Sequence, residues 1–116
     1  MTSKIDLRTL LANSDRTLEQ KLALFVWLTL GIIESLTKGL LTADHAVRIF
    51  FNADNCLFVR QELGEDDADA IMSHGVQLPD LLDALPAEEA QREFERELAK
   101  MHALSLAILK QRRLAA

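Results

Sequence analysis

Tyrosine is missing from this 116-residue chain, tryptophan and cysteine occur once each, proline twice and glycine four times. Each shortage excludes something. The lone Cys56 can close no internal disulfide, which removes the disulfide-stapled secreted scaffolds and fits a reducing, cytoplasmic setting. So few Gly and Pro leave little room for irregular or disordered stretches. Strand-favouring β-branched and aromatic residues are sparse, whereas Leu and Ala, both strong helix formers, dominate.

The motifs of chemistry are missing too. His45, His74 and His102 have no partner histidine, and no carboxylate stands three or four residues before any of them, so the helical spacings of di-iron and zinc sites are absent. Asp66, Asp67 and Asp69 crowd together without the spacing of a calcium loop. Gly31, Gly39, Gly64 and Gly75 stand alone, so no phosphate-cradling glycine loop exists. No serine sits in a nucleophile elbow. Cys56 lies on an apolar segment with Arg60 as its only local cation, which reads as packing and not as a reactive thiolate. A helix-turn-helix drawn across residues 42–63 would offer the groove Asp54, Asn55 and Glu62 against a single Arg60. No catalytic residue, metal, cofactor or small-molecule ligand follows from these residues, and nucleic acid is disfavoured.

What is present is apolar helix. Some 49% of residues are hydrophobic, and the length suits one domain over residues 1–116 with a core of its own. Thr17 opens T-L-E-Q, a capping box with Gln20 reaching back, and the helix it starts runs over about 17–38 with Gly39 in the C′ position. Glu34 and Lys38 form a favourable i, i+4 pair on it. A last helix covers about 87–113, acidic at its start and basic at its end, with Pro86 at N1. Between and before them the spacing predicts shorter helices: one capped by Ser3 and ending near Asn13, one from Thr42 to about Phe51, one over 56–63 that could also be a short strand, one after Glu65 ending at Gly75, and one beginning at Pro79. Residues 52–55 read as a turn. The fold class is all-α, a compact bundle of five or six helices with the two long ones at its centre.

Segments 22–33 and 103–109 are apolar almost all round, and a helix of that kind must be enclosed on every side. Segment 22–33 is short of the roughly 20 residues of a membrane span, so it reads as core. One short chain has difficulty enclosing two such helices, so part of this surface is expected to meet a second copy in a homodimer, with Gly31 allowing close approach. The net charge of −5 is uneven: residues 1–61 sum to +1, residues 62–97 to −10 and residues 98–116 to +4. An acidic centre opposes phosphate-backbone binding and permits a basic protein partner. The function expected from all this is a non-enzymatic helical interaction or regulatory protein that self-associates. Two alternatives stay open: an acidic inhibitor or immunity-type protein masking a basic partner through Glu65, Asp66, Asp67 and Asp69, and a small ligand-binding bundle or enzyme with a pocket near Glu34, His45 or His102.

Overall fold

The computed structural model describes residues 4–12 and 15–112. It is an all-α bundle, with no strand among the described residues. The order is α1 (Leu7–Leu11), α2 (Leu18–Thr37), α3 (Ala43–Ile49), α4 (Ala53–Phe58) continuing as a π turn (Val59–Leu63), α5 (Asp66–Val76), α6 (Leu78–Ala84) and α7 (Ala87–Gln111). The long helix α7 packs along α2, α5 and α6, and one contiguous core runs from Leu7 to Ile108.

Helix α2 forms where its caps place it. The Thr17 hydroxyl accepts from the Gln20 N–H at 3.1 Å, and the Gln20 side chain accepts from the Thr17 N–H at 2.9 Å. At the other end Gly39 has φ +71°, and the Leu40 and Gly39 N–H groups donate to the Ser35 and Leu36 carbonyls, a Schellman closure. Leu22, Phe25, Val26, Ile32, Ile33 and Leu36 point inward. By length and composition α2 could cross a membrane, but this inner face is core. Thr29, fully buried among these residues, donates its hydroxyl to the Phe25 carbonyl at 2.8 Å and so leaves no unpaired polar group.

Several local expectations need correction. The first helix starts at Leu7 on an Asp6 cap, whose carboxylate takes the Thr9 N–H and hydroxyl; Ser3 and Asn13, expected to bound it, lie outside the described residues. Helix α3 stops at Ile49, because the Phe50 and Phe51 N–H groups both bond to the Ala46 carbonyl and turn both rings into the core. Residues 52–55 are not a turn: the Asn52 side chain caps α4 through the Asn55 N–H, and Ala53–Asn55 form its first turn. Segment 56–63 is helical, ended by Gly64 at φ +58°. Helix α6 begins one residue before Pro79, and Pro86 caps α7 in extended conformation instead of occupying N1.

Gly75 does not stop α5 but lies inside it, and its reason is space. A Cβ there would sit 2.3 Å from the Phe51 ring. Asn55, 2% exposed, is the polar centre of the other end of the bundle. Its side-chain oxygen accepts from the Leu7 N–H at 3.0 Å, and its amide nitrogen donates to the Ile5 carbonyl at 2.7 Å and the Phe50 carbonyl at 2.9 Å.

Two outcomes follow for stability, both read by urea denaturation. Asn55→Ala strands three backbone groups and loses about 3–5 kcal/mol. Gly75→Ala loses about 1–3 kcal/mol by overpacking against Phe51, although alanine is intrinsically the better helix former by about 1 kcal/mol. A Gly75→Ala variant as stable as the native chain would contradict the close approach.

Candidate functional site

Helix α2 has two unlike faces. At 100° per residue the inner stripe is matched on the far side by Gln20, Leu24, Trp27, Gly31, Glu34 and Lys38. Trp27 is the chain's one tryptophan, and 53% of its surface is exposed. Leu24, Leu28 and Leu30 beside it are half-buried, and a Cβ at Gly31 would meet nothing within 4 Å. Scattered exposed leucines are ordinary, but a large aromatic among half-covered leucines is an apolar patch. Beside it runs a groove of about 660 Å³ lined by Arg16, Glu19, Gln20, Leu24, Trp27 and Arg112, among others. Reading the sequence by composition passes over Trp27. The signal was its register: it falls seven residues from Gln20 and from Glu34, both of which mark the solvent side.

The second apolar segment, 103–109, is less open. Ser105 and Ile108 are buried, and Leu104, Leu106, Ala107 and Leu109 are half-buried. Neither segment is enclosed all round.

The acidic residues named from the sequence sit at the start of α5, and two of the four are engaged within the chain. Glu65 takes two hydrogen bonds from the Arg112 guanidinium at 2.7 and 3.0 Å, and Arg112 also lies 3.7 Å from Glu19. Arg112 thereby ties the end of α7 to the starts of α5 and α2. Asp69 pairs with Arg60 at 3.4 Å. Asp66 is exposed, Asp67 is half-buried, and among the described residues no cation lies within ion-pair distance of either. A further contact joins the His74 ring of α5 to the Glu97 carboxylate of α7, which also lies 3.5 Å from Lys100.

Of the residues named for a ligand pocket, the structure brings together Glu34 and His102. Both line a groove of about 440 Å³ between α2 and α7, floored by Ile33, Leu36, Phe94 and Leu98. His45 is elsewhere, in the first turn of α3, where its N–H donates to the Thr42 hydroxyl. Glu34 lies 3.9 Å from Lys38, the pair expected from spacing. Among the described residues no three His, Cys, Asp or Glu side chains gather as metal ligands.

No family model, curated protein or solved structure matches this chain.

Cys56 is half-buried against the core. Burial pushes its thiol up, the Asp69 carboxylate pushes it further, and Arg60 opposes them. A thiol held above its ordinary value is mostly protonated near neutral pH and a poor nucleophile. Alkylation by iodoacetamide, followed by mass spectrometry, should be slower at Cys56 than at free cysteine and should speed up in Asp69→Asn. A native Cys56 that reacts faster than free cysteine would reverse this account.

Proposed function

We propose that the protein is a non-enzymatic helical interaction protein that acts as a self-associated unit, with the outer face of α2 as its contact surface. The single observation that carries this is Trp27, half exposed on a folded helix among half-covered leucines. An indole in water forgoes the burial that makes aromatic side chains dominant in cores and interfaces. The described chain leaves about half of it uncovered, while α2 itself is held in place by its core face. A rigid helix bearing one large anchor loses little conformational entropy on docking.

The acidic-inhibitor alternative receives less support. Glu65 and Asp69 are occupied by Arg112 and Arg60, which leaves Asp66 and Asp67 to meet a basic partner. The groove holding Glu34 and His102 is where a small ligand would be sought, but Glu34 is already paired with Lys38. The same proposal places the protein in the cytoplasm as a soluble chain, a setting supported by its lone half-buried cysteine and by the core packing of α2.

Sedimentation velocity across the micromolar range, with Trp27 emission recorded on the same samples, tests this. The expected result is a monomer–dimer equilibrium, with the emission moving to shorter wavelength as the dimer fills and the indole leaves water. A monomer at every concentration with unchanging, water-like emission overturns the proposal.

A further inference from the structure

Resting on that self-association, we infer that two copies pack α2 against α2 in antiparallel fashion, each Trp27 seated over Gly31 of the other. The pairing is about a two-fold axis at the level of Thr29. Closed homodimers are isologous, so the contact patch must be complementary to itself. The outer face of α2 meets this condition in one direction only. One turn apart on the same stripe stand the largest side chain of the chain and a residue with no side chain, Trp27 and Gly31, the second with nothing within 4 Å of where a Cβ would be. Reversing one helix on the other about Thr29 brings each Trp27 opposite Gly31, and Leu28 and Leu30 flank the crossing from both copies.

Charge selects the same direction. In a parallel pairing Glu19 would face Glu19, Glu34 would face Glu34 and Lys38 would face Lys38, with Trp27 against Trp27 and Gly31 against Gly31. In the antiparallel register Lys38 comes opposite Gln20, next to Glu19. Glu19 belongs to a cluster with Glu65 and Arg112 that carries one excess negative charge, and in a groove that Arg16 also lines, the exposed Lys38 of the second copy exchanges its loose 3.9 Å contact with Glu34 for this cluster. Antiparallel helices also align their dipoles favourably. The groove of about 660 Å³ alongside the first half of α2 then receives the last half of the other copy's α2. A strip one helix wide and about 30 Å long is at the low end of specific interfaces, which bury about 1,200–2,000 Å². The dimer is accordingly expected to dissociate in the micromolar range.

The test exchanges knob and hole. Trp27→Ala and Gly31→Leu should each weaken dimerisation by about tenfold or more, as loss of a central anchor or its seat does. The double variant Trp27→Ala with Gly31→Leu places a leucine opposite an alanine in both copies and should recover much of the affinity. Because a Cβ at Gly31 meets nothing within 4 Å, Gly31→Leu should keep or raise the thermal midpoint at concentrations where the native chain is monomeric, so lost dimerisation cannot be put down to misfolding. All four proteins are compared by sedimentation velocity. A native chain that stays monomeric removes the self-association and this register together. A native chain that dimerises, but whose dimer is unaffected by Gly31→Leu or not restored in the double variant, leaves self-association standing and overturns the register alone.

Discussion

The side chain of Asn55 is the contact on which the N-terminal half of the bundle depends. Its three hydrogen bonds reach the Leu7 N–H and the Ile5 and Phe50 carbonyls, backbone groups that belong to no common helix. The Ile5 N–H adds a fourth tie, to the Ile49 carbonyl at 2.8 Å. An amide 2% exposed must satisfy both its oxygen and its nitrogen internally or lose the free energy of both. Asn55 does so only if residues Ile5 and Leu7, the end of α3 and the start of α4 stand where they do. With that corner fixed, Leu7 and Leu11 enter the core, Phe50 stacks at 6.2 Å on Phe25 of α2, and Phe51 meets Phe50 edge-on at 5.0 Å. Phe51 in turn fills the space that Gly75 leaves on α5. Polar saturation at one residue thus also sets where two rings, Phe50 and Phe51, meet α2 and α5.

Features that sequence spacing exposes are those whose partners lie close in the chain. The Thr17 capping box, the Gly39 stop, the Thr42 cap and the Glu34–Lys38 pair all join residues five apart or fewer, and each stands in the structure. Asn55 is the opposite case. Its partners Ile5 and Leu7 lie some fifty residues away, and next to Asn52 and Asp54 it has the composition of a turn. Gly75 looks like a helix stop because nothing local reveals Phe51 above it. At the candidate site the apolar excess of 22–33 was legible, and so was the room at Gly31. Which side of the helix would be left open was not, since that is settled by where α7 and the short helices come to rest.

The acidic stretch shows how far a charge sum can mislead about a surface. Residues 62–97 sum to −10, yet Glu65, Asp69 and Glu97 are engaged within the chain by Arg112, Arg60 and His74. These contacts tether α5 to the π turn and to α7, so part of the charge holds helices in register. Exposed pairs of this kind contribute little individually. Glu65 with Arg112 is better placed, because its side chain is 16% exposed and takes two hydrogen bonds from one guanidinium.

The same tie bears on α2. Arg112 reaches Glu19 as well as Glu65, which pins the last turn of α7 beside the first turn of α2 and makes one wall of the groove next to Trp27. The inner face of α2 is committed to the core along its whole length, and that burial fixes its rotation. Trp27 therefore cannot turn inward without expelling Phe25 or Val26, both fully buried. Nor can α7 roll across to cover it without breaking the Arg112 contacts and exposing Phe94, Leu98 and Met101 on its own inner stripe. The constraint that stabilises the described bundle is the one that leaves about half of the indole exposed.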